Sequence, residues 1–411
     1  MSAVGEEGTS VPHLSGVRIA DVTRILAGPY ATMLLGDLGA EVVKVERPGG
    51  GDETRQIPPT LDGESHYFTS VNRNKRGIAV DLKDVKGQEI VRRLAACSDV
   101  FVENFRPGVA SRLGLDAETL LEQNPRLVYC SISAFGQTGP WAERSSFDVA
   151  IQALSGAMSV NGEPGNAPVR LGLPLGDLSG GLFAVVAILA ALVKREQTGK
   201  GEVIDVSLLD SMVTLLGYLA GRFFMTGEPP SPVGSGHQSI VPYGAYKASD
   251  GYLIIATLTE SFWPKLCAAL GLGRMATNPR LSTNAQRLAH KDEVEAEIQA
   301  VIAQRSVADW CSVLDAADVP HAPLLTLDRV FAHPQVQARE LVSEVDHPHL
   351  GKLKLAGRVP RFSSLTAHPS KPSPPPLLGQ DTVPILRELL GYEDGEIKSL
   401  LASGVIEAAP L

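Results

Sequence analysis

The stretch "GVRIADVTRILAGPYATMLLGDLGAEVVKVE", residues 16–46, decides the fold. Its opening, "GVRIADVT" (16–23), reads as a buried strand. "AGPYATMLLGDLG" (27–39) reads as a helix closing on Gly39, which suits a C-cap. "AEVVKVE" (40–46) is a second strand, rich in β-branched valine. Strand, helix and strand within about thirty residues make a βαβ unit, hence parallel strands and an α/β sheet.

The alternation continues outward. "RGIAVDL" (76–82) and "SDVFVENF" (98–105) read as strands flanking the helical "VKGQEIVRRLAAC" (85–97). A helix "DAETLLEQN" (116–124) precedes a strand "RLVYCSISAFG" (126–136). Residues 145–220 are helix-rich around the strand "GEVIDVSLLD" (201–210), with a helix predicted at 211–225. Composition changes at "TGEPPSPVGSGHQ" (226–238), a Pro/Gly/Ser linker. Beyond it, "YGAYKASDGYLIIAT" (243–257) reads as a hairpin, followed by three helical stretches between about 260 and 318. "PSKPSPPP" (369–376) is a polyproline connector, and the tail supplies two short helices, the first capped by Asp381. The pattern predicts a large domain over 1–225, a small domain over 226–325 and a C-terminal segment, 326–411, returning to the large one.

Bulk composition narrows the function. The chain has 411 residues, 44% hydrophobic and 20% charged, enough for a large soluble core. Its net charge of −9 opposes nonspecific binding to nucleic acid or anionic membrane, so an anionic ligand must be held by local cations and backbone N–H groups. Cys97, Cys130, Cys267 and Cys311 are dispersed and fit reduced thiols in a cytoplasmic protein. The apolar run 181–193 is short of the ~20 residues that span a bilayer and reads as a core helix; the N-terminus lacks signal-peptide character. No histidine spacing fits a metal site. The first βαβ unit ends in Glu46, as a dinucleotide site would, but its loop "TRILAGPY" has one glycine where that fingerprint needs several. "RNKR" (73–76) reads either as a solvated turn or as a phosphate-binding cluster.

One acid stands out. Asp177 is the lone carboxylate in "RLGLPLGDLSGGLFAVVAILAALVKRE" (170–196) until Glu196. Burying it without a partner is costly, so it must cap a helix, pair or react. As an N-cap it would accept N–H bonds and complement the helix dipole. As a nucleophile it would attack an acyl carbon, with glycines 176, 180 and 181 admitting substrate to the backbone. The two readings are compatible.

Residues 14–55, 72–83 ("NRNKRGIAVDLK"), 99–116 ("DVFVENFRPGVASRLGLD"), 176–211 (from "GDLSGG") and the ending "LLGQDTVPILRELLGY" together resemble the family III coenzyme A transferases, of CaiB/BaiF type. The resemblance implies an interlocked homodimer, each chain with a Rossmann-like large domain and a smaller α+β domain. It implies coenzyme A as substrate and product, with no tightly bound cofactor and no metal. It places the catalytic aspartate at Asp177 and matches CoA contacts to Ile25, Ala27, Arg47, Val80, Lys83, Asn104, Phe105 and Arg112. The implied reaction moves CoA from a short acyl-CoA, succinyl-CoA foremost, to a small dicarboxylate through aspartyl anhydride and aspartyl-CoA intermediates. Segment 234–251 resembles the start of the small domain in succinyl-CoA-dependent members, making Gly234, Gly236 and His237 a candidate substrate loop.

Some positions depart from the formyl-CoA:oxalate branch. Leu26 replaces a glutamine, Ile57 a tryptophan, and Ser145 and Phe147 a lysine and a tyrosine that touch CoA. The related 2-methylacyl-CoA racemases use a His-Asp pair to move an α-proton; here Asp148 is present but Phe147 replaces the imidazole. A racemase and a noncatalytic CoA-binding protein are the alternative readings.

Overall fold

A computed structural model describes residues 11–359, 361–363 and 371–409. Residues 369 and 370 of the polyproline connector lie outside the described residues, as does most of the N-terminal stretch. The chain divides into two compact units: residues up to 155, 172–215 and 334 onward form the first, and 156–171 with 216–333 the second.

In the first unit, β1 (Arg18–Asp21), α1 (Ala27–Asp37) and β2 (Glu41–Glu46) form the expected βαβ unit, with β1 and β2 parallel. β3 (Lys75–Val80), α2 (Val85–Ala96), β4 (Val100–Glu103) and β5 (Val128–Ser133) follow. Then come α3 (Asp148–Leu154), α4 (Leu175–Thr198), β6 (Glu202–Ser207), α5 (Leu208–Leu215) and, near the end, β7 (Ile406–Glu407). The seven strands lie in the order β7-β3-β2-β1-β4-β5-β6. All neighbours are parallel except β7, which runs antiparallel to β3. The parallel part has the 3-2-1-4-5-6 order of Rossmann folds. Its central strands are buried on both faces, which is why they read as continuous apolar runs.

The tail rejoins this sheet. Ile385, Leu386, Ile397, Leu400 and Ile406 pack into the core that holds Ile78, Ile90 and Phe101. Asp381 stands at the expected cap position, but its carboxylate makes no cap; it accepts the Gly77 N–H at 2.8 Å instead.

The basic cluster at 73–76 fits neither sequence reading. Arg73 is buried and bonds Asp37 through two nitrogens, at 2.9 and 2.6 Å. Lys75 is fully buried against Asp21 at 3.0 Å, and Arg76 pairs with Glu41 at 3.0 Å. Short range could not reveal this, because each acidic partner lies on another element. Glu46 likewise faces Arg55 at 2.7 Å rather than a ribose.

The second unit contains the hairpin Tyr243–Lys247/Tyr252–Ala256, extended by His321–Pro323 into a three-stranded antiparallel sheet. Five α-helices, not three, lie between 260 and 318 among the described residues, with a 3-10 turn at Pro279–Leu281: Phe262–Ala269, Gly273–Ala276, Asn284–Ala289, Lys291–Ile302 and Val307–Ala316. The helix predicted at 211–225 is broken: α5 stops at Leu215, and a new helix, Tyr218–Thr226, starts after Gly217, whose φ of +51° a side chain would resist. The 226–238 linker lies inside this unit.

Buried ions carry a testable cost. Burial alone would raise the Asp21 carboxyl, yet Lys75 and Lys44 hold it down, from 3.8 to about 2. Replacing Lys75 by Met removes the cation bonded to that carboxylate and leaves Lys44 with the Thr23 and Thr32 hydroxyls, so urea unfolding at pH 7 should show a loss of up to about 3–5 kcal/mol. Because the folded value lies below the unfolded one, the contribution is present above pH 3.8 and fades as pH falls towards 2. The gap between wild type and variant should close over that window.

Candidate active site

In open parallel sheets, ligands bind beyond the carboxyl ends of the strands where the order reverses, here between β1 and β4. A cleft of about 330 Å³ lies there, walled by Arg24–Ala27 after β1, Asn104–Pro107 after β4, Ile132–Ala134 at the end of β5, and Asp177. A second cleft of about 260 Å³ runs along the ends of β1, β2 and β3, lined by Thr23, Arg47, Val80 and Lys83 among others. Arg24 and Phe105 line both.

Asp177 is not the cap of its helix. Pro174 holds the N-cap position of α4 and makes no side-chain cap, and Asp177 is the third helical residue. The capping carboxylate comes from Asp148, at the start of α3: its Oδ1 accepts the Gly176 N–H at 2.7 Å and the Asp177 N–H at 3.4 Å. Its Oδ2 accepts from Gln152 at 2.6 Å. Asp177 is thereby relieved of the helix end, and its carboxylate accepts no hydrogen bond among the described residues. Burial, and then the like charge of Asp148, pushes the Asp177 carboxyl up from 3.8 to about 7. A poorly solvated, unusually basic carboxylate beside a cleft is suited to nucleophilic attack on an acyl carbon.

The glycines around Asp177 do not admit substrate, contrary to expectation. A Cβ at Gly176 would lie 2.9 Å from Asp148 Oδ1, and one at Gly181 would lie 2.7 Å from the Ala27 carbonyl of α1. At Gly180 it would meet Leu208 at 2.3 Å. They let α3, α1 and α5 close on α4, and so fix where Asp177 points.

The cleft wall between β1 and α1 is braced from beneath. Ile25 has φ +71°, rare for a β-branched residue, and its N–H is held by the Asp52 carboxylate at 3.2 Å. Asp52 is in turn paired with fully buried Lys44 at 3.2 Å. Asn104 mimics a strand neighbour: Oδ1 accepts the Arg24 N–H at 2.9 Å and Nδ2 donates to the Arg24 carbonyl at 2.7 Å. Its amide is therefore occupied by the loop.

Most expected contact residues are gathered at this crevice. Ile25, Ala27, Asn104 and Phe105 line the Asp177 cleft; Arg47, Val80, Lys83 and again Phe105 line the second. Val80 is buried in β3, whereas Arg47 and Lys83 are exposed cations. Arg112 lines neither cleft, although its neighbours Val109 and Leu113 line the second. Gly234, Gly236 and His237 belong to the second unit. There His237 lies against Tyr218 and Tyr243, with ring centroids 5.6 and 5.3 Å away, and its Nδ1 accepts the Ser239 N–H at 3.0 Å. That bond leaves Nε2 as the donor of the neutral ring. No cluster of three metal-ligating side chains occurs among the described residues.

Sequence reasoning missed several participants. Tyr67 lies close enough to Asp177 that, after burial, this charge is the next cause of its raised pKa. Arg106, Arg144 and Ser133 also line the Asp177 cleft, Arg144 with its guanidinium 4.5 Å from the Trp141 ring centroid. Asp148 was noticed only as the acid of a racemase-type pair; its role at the end of α4 was missed, although an acid heading the helix of residues 148–154 was a local signal.

Fold and site define an α/β protein with a buried carboxylate of raised basicity at its sheet crevice. Residues 14–382 match the family described as CoA-transferase family III, and the chain belongs to that family of enzymes. It is 45% identical to succinyl-CoA:glutarate CoA-transferase of Mus musculus over 97% of this chain and 91% of that protein. It is 38% identical to succinate–glutarate CoA-transferase of Agrobacterium fabrum, over 92% and 96%. A crystal structure of a CAIB/BAIF family protein from Brucella suis superposes with a TM-score of 0.82 at 38% identity, covering 92% of this chain and 99% of that one.

Two outcomes follow from the carboxyl pair. The folded state binds the Asp177 proton more tightly than the unfolded chain. The ionisation penalty is thus absent below pH 3.8, grows above it and is complete past about 7. Asp177→Asn should stabilise the protein at pH 8 by up to about 4 kcal/mol, less where solvent screens the group, with no gain near pH 4. Equal urea midpoints at pH 8 contradict this. Asp148→Asn removes the like charge while keeping an acceptor for Gly176, so the acid limb of kcat/KM should move to lower pH.

Proposed function

We propose that this enzyme transfers CoA from succinyl-CoA to glutarate, or to a dicarboxylate of similar length. The observation that carries the chemistry is the Asp177 carboxylate, without a hydrogen-bond donor among the described residues and pushed to about 7, on the wall of the crevice. The substrate choice rests on the relatives in mouse and Agrobacterium, matched along nearly their whole length.

The Asp177 carboxylate attacks the thioester carbon, forming an aspartyl-acyl anhydride and CoA thiolate. The thiolate attacks the aspartyl carbonyl, releasing donor acid and leaving an aspartyl-CoA thioester. The acceptor carboxylate then attacks that thioester, and the returning thiolate takes the new acyl group and restores the carboxylate. One thioester replaces another, so the exchange needs no external energy source. The second cleft, with exposed Arg47 and Lys83, is the proposed seat of the phosphate-bearing end of CoA, and the Asp177 cleft that of the arm and acyl group. His237 is the proposed carboxylate-binding group of the second unit, through Nε2. Phe147 carries no proton, which disfavours α-proton exchange of the racemase type.

The enzyme is also proposed to work as a homodimer. Leu182, Phe183, Val186 and Val193 leave one side of α4 exposed, and Val149, Val203 and Val213 of α3, β6 and α5 are exposed as well. The sequence reading of 181–193 as a core helix thus holds for only part of its circumference. A second copy would cover such a patch. The four free cysteines suit a reducing compartment such as the cytoplasm.

Asp177→Ala should keep the fold and lower succinyl-CoA/glutarate exchange by at least about a thousandfold, since among the described residues no other carboxylate lines that cleft except Glu53, already paired with Arg24. Turnover within tenfold of wild type contradicts the assignment. A panel of mono- and dicarboxylates against the wild type tests the acceptor, with glutarate expected to give the highest kcat/KM.

A further inference from the structure

Ser133 is the last residue of β5 and lines the Asp177 cleft. It is 8% exposed, and its Oγ is enclosed with no hydrogen-bond partner among the described residues. Its neighbours on the sheet are satisfied. Ser131 Oγ accepts from Gln137 at 2.7 Å, and Ser207, paired with Ser133 across β5 and β6, donates to Asp210 at 3.0 Å. Among the described residues the cleft has one other enclosed, unpartnered oxygen, Glu53 Oε2, but that carboxylate already accepts from Arg24. An enclosed hydroxyl without a partner is costly, and a turn of its single χ1 torsion to another staggered position, towards an acceptor in the cleft that the residue lines, would supply the missing bond.

The surroundings select the occupant. Ile132, Ala134 and Leu208 flank Ser133 on the cleft wall. A carboxylate pressed against that apolar stretch would be desolvated with one neutral donor to meet it, an unfavourable exchange. Anionic groups are better served by Arg106 and Arg144 on the loops. A neutral amide suits one hydroxyl on an apolar wall, and the arm of CoA carries amides and no charge. We propose that Ser133 is a binding residue for that arm, its hydroxyl donating to an amide carbonyl of the pantetheine unit. The inference rests on the reading of this cleft as the acyl-CoA site.

Calorimetry on the full-length protein separates the possibilities with two ligands: CoA, and adenosine 3′,5′-bisphosphate, which lacks the arm. Ser133→Ala should weaken CoA binding about five- to tenfold, the worth of one neutral hydrogen bond, and leave the bisphosphate unchanged. Ser133→Thr, which keeps the hydroxyl, should restore most of the CoA affinity. Equal CoA affinity in wild type and Ser133→Ala overturns the assignment while leaving the cleft's reading intact. A parallel loss for both ligands overturns it too, by showing a structural role. Unchanged affinity with lowered kcat points to the reacting carbonyl and also overturns it. If the wild type binds no CoA, both the inference and the proposed function fail.

Discussion

Everything at the site depends on Asp148 occupying the end of α4. A helix beginning with Leu-Gly-Asp would ordinarily use its own acid to meet the first free N–H groups. Here a carboxylate from another helix does so, through the 2.7 Å bond to Gly176. Asp177 is left inside the protein with a like charge beside it and, among the described residues, no donor to stabilise its anion, a combination that raises basicity. The geometry holds because Gly176, Gly180 and Gly181 allow three neighbours closer than any side chain would permit. Structural residues thus set the basicity of Asp177 and fix its place at the cleft.

The opposite wall obeys similar logic. Ile25 holds a backbone conformation that a β-branched residue avoids, and Asp52, anchored by buried Lys44, keeps it there. Asp21 and Lys75 fill the same charged layer, alongside Lys44. These buried ions are weak evidence for stability, since apolar replacements of matched volume are often as stable. Their arrangement fits a different purpose, namely fixing the loop between β1 and α1 at the mouth of the crevice.

Much of this was legible in the sequence, and the limits have physical causes. The parallel sheet followed from periodicity, because doubly buried strands advertise themselves as apolar runs. Asp177 was conspicuous as a lone acid, but its partner was hidden: Asp148 is twenty-nine residues away, and only the packing of α3 on α4 joins them. Ion pairs such as Arg73–Asp37 and Lys75–Asp21 were illegible for the same reason, so the 73–76 cluster looked like surface. Glycine was misread because sequence cannot say whether the vacant side of its Cα faces substrate or another helix. Ser133 gave no signal at all; an unsatisfied hydroxyl exists only in three dimensions.

The central claim is that Asp177 becomes covalently linked to the acyl group and to CoA in every cycle. When acceptor carboxylate labelled with ¹⁸O on both oxygens attacks the aspartyl thioester, one labelled oxygen must remain on Asp177 after the thiolate departs with the acyl group. Mass spectrometry of the peptide containing residue 177, after many turnovers with succinyl-CoA and labelled glutarate, should show the heavy isotope in that side chain. Full exchange activity with an unlabelled Asp177 would contradict the account.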